Sequence, residues 1–267
     1  MSLEWSIFCR STTGTTQLAD CFGQNGELSY LQWLLSAWGW TATVALLGFL
    51  ISLLLGVVIG TLRTLPSTSA ASRWSSRLAA AWVELFRDIP LLVQVFLWYH
   101  VAPIFLPALK SLPSWLLVSI ALGLFTSARI AEQVRAGIQS LPRGQRDAAL
   151  ALGMHESQVY RRVILPVALR IMMPALTSEA MSIVKNSSVA FVVAVAELTQ
   201  FAMQAQEETA RGIEIYLAVT LLYALTAFAV NRVLAAIESR IRVPGVGALA
   251  RQGALVWRSI CLFIAGI

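Results

Sequence analysis

The chain has 267 residues, 57% of them apolar and only 13% charged, with 20 Lys+Arg against 14 Asp+Glu for a net charge of +6. A soluble domain carries about 25% charged residues, so this chain lacks the polar groups to cover a water-facing surface. It is expected to be an all-α, polytopic membrane protein, and its basic balance, sorted by position below, does not call for a nucleic-acid partner.

Residues 1–32 are expected to form a tail. They contain Glu4, Asp20 and Glu27 and lack a basic stretch followed by a small-residue cleavage site. No secretory signal is therefore read, and the first apolar span is expected to insert uncleaved. Cys9 and Cys21 both fall in this tail. They either bridge in an oxidising compartment or remain two thiols. Cys261 lies near the other end, and His100 and His155 are isolated, so no metal-ligand spacing is present.

Crossing a bilayer takes roughly 20 apolar residues in a helix. Five stretches reach that length: 33–62, 78–106, 115–136, 171–198 and 213–234. Glu84, Arg87 and Asp88 lie near the start of the second. Residues 256–267 are apolar but too short to span. Trp33, Trp38, Trp40, Trp98, Tyr99 and Trp115 suit membrane-interface or packing positions.

Positive charge sets the direction of insertion. With the N-terminus outside, the inner segments hold Arg63, Arg73, Arg77 and Arg87, then Arg135, Arg143, Arg146, Arg161, Arg162 and Arg170, then Arg232, Arg240, Arg242, Arg251 and Arg258. The outer segments hold only Arg10, Lys110 and Arg211, while Glu197, Glu207, Glu208 and Glu214 crowd the last outer turn. The expectation is an N-terminus outside, a C-terminus inside, and a cytoplasmic segment at 139–166.

That segment reads as two short helices. Pro142 suits the first turn of a helix, where its missing N–H is no loss, and 143–152 are mostly good helix formers. Gly153 can take the left-handed conformation that ends a helix. A second helix is expected over 156–164, with Pro166 breaking it before the fourth span. Ala148, Ala149 and Ala151 give a smooth surface open to close approach. The spacing is Asp147-Ala148-Ala149, three residues, Gly153, nine residues, Val163, one residue, Leu165-Pro166.

This spacing resembles the signature loop of permease subunits of binding-protein-dependent ABC importers, whose pattern has Glu where Asp147 stands and Ile where Val163 stands. The shorter carboxylate alters the contact at that position in detail. Further runs resemble the polar amino-acid branch: Val-Glu-Leu-Phe-Arg-Asp-Ile-Pro-Leu-Leu-Val-Gln at 83–94, Ala-Glu-Gln-Val-Arg-Ala-Gly-Ile-Gln-Ser-Leu-Pro-Arg-Gly-Gln at 131–145, and Val-Lys-Asn-Ser-Ser at 184–188. Gly-Leu-Phe-Thr-Ser-Ala-Arg at 123–129 is similar to glutamate/aspartate importer permeases. The likeness runs over about 31–243. It implies an ABC importer type I permease fold in the bacterial inner membrane, with a tail at 1–32, a permease domain at 33–243 and a cytoplasmic tail at 244–267. It implies as partners two copies of an ATPase that binds ATP and magnesium, a second permease, identical or related, and a periplasmic amino-acid-binding protein. This chain itself is expected to hold no cofactor and no metal.

An ionisable group inside a span costs several kcal/mol unless it faces a cavity or a partner. Arg129 is the prime case. It either meets a substrate carboxylate in bidentate fashion or pairs with Glu132, three residues on along the same helix face. Glu179, Ser182 and Asn186 share one face of the fourth span, with Lys185 beside it. That stripe lines either the path or the contact with the second permease. Arg87, Pro90 and Gln94 are read as a structural corner near the inner mouth, with substrate contact the lesser reading.

Two readings of other classes compete. A self-sufficient secondary transporter would show an inverted repeat, and none is visible. A membrane enzyme would need a carboxylate dyad, a histidine cluster or a nucleophile motif. A Gly-x-x-x-x-Gly-Lys-Ser/Thr run is also lacking, which suits a permease whose ATPase is a separate chain. A permease for neutral or basic amino acids is the alternative within the class.

Overall fold

The computed structural model describes residues 4–12, 21–22, 28–66 and 69–241, without the side chains of Arg143 and Ile241. The segments at 244–267 and 256–267 lie outside the described residues, as do parts of the 1–32 tail. The helices, in chain order, are α1 (Tyr30–Leu62), α2 (Ala70–Asp88), α3 (Leu91–Phe105), α4 (Ser114–Gln139), α5 (Arg143–Ala151), α6 (Glu156–Val193), α7 (Leu198–Thr209) and α8 (Gly212–Ile241). Four of them, α1, α4, α6 and α8, are long and apolar enough to cross a membrane, and α2 with α3 makes a fifth, broken span.

The second expected span is therefore not one helix. α2 and α3 are bent 105° from each other. Pro90 has no N–H to continue the ladder, and it forces the residue before it into an extended conformation; Ile89 sits at φ −89°, ψ 128°. The carbonyls stranded at the break are met by Gln94, whose buried amide Nε2 donates to Phe86 O at 2.8 Å and Ile89 O at 3.0 Å. α2 buries only Ala79, Val83 and Phe86 and carries Arg73, Arg77, Glu84, Arg87 and Asp88, the pattern of an amphipathic helix lying along an interface.

The fourth span also departs from expectation. Pro166 does not break the chain: one helix, α6, runs from Glu156 to Val193. A proline ring clashes with the carbonyl four residues back. The helix absorbs this by widening into a π turn at Tyr160–Ile164, with Leu165 N–H bonded to Tyr160 O. α6 then stops at Ala194, held left-handed at φ 54°. The expected outer turn beyond it contains a helix of its own, α7, capped by Glu197, whose side chain accepts from Gln200 N–H at 2.9 Å and from Tyr223 Oη at 2.6 Å. Glu197 is fully buried, and that burial holds its carboxyl above the ordinary range against the opposing pull of its hydrogen bonds.

α1 and α4 approach so closely that at several glycines an added Cβ would force a neighbour to shift. A Cβ at Gly56 would lie 2.6 Å from Ile130 Cγ2, one at Gly60 would lie 2.5 Å from Val134 Cβ, and one at Gly123 would lie 2.5 Å from Ile51 Cγ2. With lipid tails as apolar as leucine, such backbone proximity is what drives helices together in a membrane. At the end where α1 begins, Cys9 and Cys21 are bridged. There Ile7 and Phe8 pack with Leu34, Phe201 and Ile215. Glu4 pairs with Arg211 at 2.7 Å and bonds Glu214 through its backbone N–H at 3.0 Å.

Gly60→Ala is expected to lower stability by roughly 1–3 kcal/mol through overpacking. Gly39→Ala, with nothing within 4 Å of its added Cβ, should stay within about 0.5 kcal/mol of the parent. Thermal unfolding in detergent compares the two, and equal midpoints would contradict the close packing.

Candidate functional site

The two-arm segment begins at α5. Its end is a Schellman arrangement: Met154 N–H bonds Ala149 O at 3.2 Å and Gly153 N–H bonds Leu150 O at 2.9 Å. Gly153 supplies the required left-handed backbone at φ +82°. Arg146 of the first arm pairs with Glu156 at the start of the second, fixing the angle between them. Ala149 is buried, Ala148 and Asp147 face outward, and Val163, Leu165 and Pro166 are half-buried. The Asp147 carboxylate is 69% exposed and only 4.0 Å from Arg146, so it is free to meet another molecule. Leu152 at the apex is 84% exposed, an apolar tip that the motif pattern does not include.

The second group lies between α4 and α6. Arg129 Nη2 stands 3.0 Å from Glu179 Oε1, and Gln133 Nε2 donates to the same oxygen at 3.0 Å. Glu179 is buried, while the Arg129 side chain is 42% exposed. Of the two readings for Arg129, the pairing with Glu132 does not form, and Glu179 takes that place. Glu132 turns instead to Arg63 at the end of α1 and to Arg135, the latter at 3.0 Å. The structure thus joins Arg129, Gln133 and Glu179. Ser182 and Asn186, half-buried, and Lys185, exposed, lie further along α6 and outside that cluster. At the α2–α3 corner Arg87 and Pro90 are exposed and Gln94 is the capping group described above, a structural role for that residue.

Residues 52–243 match the family described as "Binding-protein-dependent transport system inner membrane component". The chain belongs to this family. It is similar, at 39% identity over 82% of its own length and 92% of the relative's, to the glutamate/aspartate import permease protein GltJ of Escherichia coli (strain K12). Its backbone resembles that in a crystal structure of an amino acid ABC transporter with histidines, with TM-score 0.67, 30% identity and coverage of 79% of this chain and 95% of that one. It shares its fold with inward-facing MetNI methionine ABC transporter, at TM-score 0.69, 21% identity, and coverage of 80% and 98%. The chain is an inner-membrane permease subunit of an ABC importer for amino acids, and not an enzyme.

Three residues of this permease escaped the sequence reading. Gln133 lies one helical turn beyond Arg129, on its face, and this i, i+4 relation was a usable signal. Arg63 and Tyr160 had none: their partners, Glu132 and Thr64, are 69 and 96 positions away.

Arg129→Gln alone leaves the buried Glu179 carboxylate without its counter-charge and is expected to destabilise the permease by roughly 1–3 kcal/mol. Adding Glu179→Gln should recover most of that loss. Thermal unfolding of both variants measures this, and a double variant no more stable than the single one would contradict the pairing.

Proposed function

We propose that this permease forms the translocation path for an acidic amino acid, glutamate or aspartate, and that the Arg129 cluster reads its side-chain carboxylate. One observation carries the reading. A guanidinium at membrane depth is only partly neutralised: Glu179 meets one terminal nitrogen, and the side chain stays 42% exposed. Arginine presents a planar fork of five N–H donors, so the remaining edges suit bidentate contact with a second carboxylate. Gln133 donates to the same Glu179 oxygen that Arg129 meets and helps hold that carboxylate in place. The similarity to a glutamate/aspartate import permease points the same way.

In this reading the N-terminus is outside and the C-terminus inside, as the arginine distribution demands and as the Cys9–Cys21 bridge suits. Residues 1–32 then face the periplasm, 33–243 form the permease domain, and 244–267 are cytoplasmic. The segment at 139–166 couples to the ATPase. Leu152 enters a groove on that subunit, Asp147 and the Ala148 surface make contact there, and Val163, Leu165 and Pro166 anchor the second arm. Two ATPase copies bind ATP and magnesium, a second permease completes the path, and a periplasmic binding protein delivers substrate.

A second reading rests on the same pair. Glu179 becomes the recognising group for a basic or neutral amino acid, with Arg129 as its counter-charge; the structural relative with histidines favours it. Arg129→Tyr separates the two in proteoliposomes holding the complete importer. An acidic substrate is expected to lose uptake roughly 10- to 100-fold relative to glutamine, the worth of about one charged hydrogen bond. An unchanged aspartate-to-glutamine ratio sinks the acidic reading, and a gain in lysine or histidine uptake supports the second.

A further inference from the structure

We propose that Tyr160 is the joint through which movement of the two-arm segment reaches α1, and through α1 the Arg129 cluster; this rests on the coupling role given to that segment above. Tyr160 Oη donates to Thr64 O at 2.6 Å, a bond between positions 96 apart in the chain. Tyr160 is buried in the apolar cluster that includes Ile138, Val159 and Ile164, with Leu65 packed against the same cluster. The carbonyl it meets lies just past the last turn of α1, where a helix has no backbone donors of its own left to offer.

The position of Tyr160 along α6 matters as much as its bond. It is the first residue of the π turn at Tyr160–Ile164. Such turns are rare and frequently sit at functional sites, and this one interrupts the regular ladder near the start of a 38-residue helix. Tyr160 therefore ties α1 to the arm side of the flexure, while the membrane part of α6 lies on the other side. The neighbouring Arg63 pairs with Glu132 of α4, so α4 is linked to the same end of α1. A cavity of about 430 Å³, lined by Arg63, Thr64, Gln139, Arg146 and Tyr160 among others, opens between these elements and the first arm. The Arg146–Glu156 pair holds α5 to the second arm, so the two arms move together. When the arm moves, α1 and α4 travel with it and slide against the membrane part of α6. The Arg129–Glu179 pair spans that α4–α6 boundary, so the motion bears directly on the cluster.

Tyr160→Phe removes the hydroxyl and keeps the ring. In proteoliposomes with the ATPase and binding protein, ATP hydrolysis and amino-acid uptake are measured on the same vesicles for the parent and the variant. ATP consumed per amino acid transported should rise roughly two- to tenfold, the worth of one neutral hydrogen bond. A purely structural role would reduce the amount of folded permease and leave that ratio alone. The companion experiment places cysteines at positions 65 and 161, with Cys261→Ser, and joins them with a short bis-maleimide. The tether should leave transport intact in the parent and restore the ratio in Tyr160→Phe. An unchanged ratio in Tyr160→Phe overturns the proposal, and so does a tether that stops transport in the parent. The tether arm gives its answer even where the Phe variant does not fold. Failure of the unaltered chain to bind the ATPase would overturn the coupling role itself, and this proposal with it.

Discussion

A backbone group that a broken helix sets free must find a partner wherever packing shuts water out, and the proline sites of this permease are shaped by that constraint. At Pro90 the ladder ends and the chain turns sharply, and the freed carbonyls are met by the buried amide of Gln94. At Pro166 the opposite solution is used: the helix stays continuous and takes in one more residue per turn. Pro174, deep in α6, is likewise carried inside the helix. Pro103 in α3 is carried past a π turn at Leu97–Val101, so four prolines give one sharp corner and three continuations, and local hydrogen bonding decides between them.

The sequence revealed the elements that depend on composition and short-range spacing. Five apolar stretches marked the spans, and the left-handed glycine and the two arms of the coupling segment were visible from residues 142–166. Proline outcomes were not visible, since a ring clash tells where strain arises and not whether a π turn or a side-chain cap relieves it. α7 was hidden because its short helix was masked by the acids around it; the buried Glu197 became legible only once Tyr223, from α8, was seen to reach it. Arg129 shows the same limit from another side. The rule for residues three apart favoured Glu132, but tertiary packing gave Glu132 to α1 and Arg129 to α6.

That division makes α4 the organising helix of the site. Two residues a single turn apart on it serve two different neighbours, Arg129 with Glu179 and Glu132 with Arg63. The glycine-lined contact with α1 is rigid, because overlapping backbones leave no space to slide. The contact of α4 with α6 combines the apolar cluster holding Ile130, Val134, Met172 and Leu176 with the polar Arg129–Gln133–Glu179 group, whose bonds can be exchanged for others of the same kind. In the proposed coupling, α1 and α4 move as one body against α6.

The docked N-terminal turn has a consequence for biogenesis. Glu4 and the residues after it are made long before the groups that hold them, Arg211 just ahead of α8 and Glu214 and Ile215 on it, the last helix in the described chain. Contacts of such long sequence separation form late, because the closure of so large a loop precedes any gain from it. The opening segment must therefore wait, undocked, while the whole bundle is laid down behind it. Its closure onto α8 marks the point at which the permease is complete.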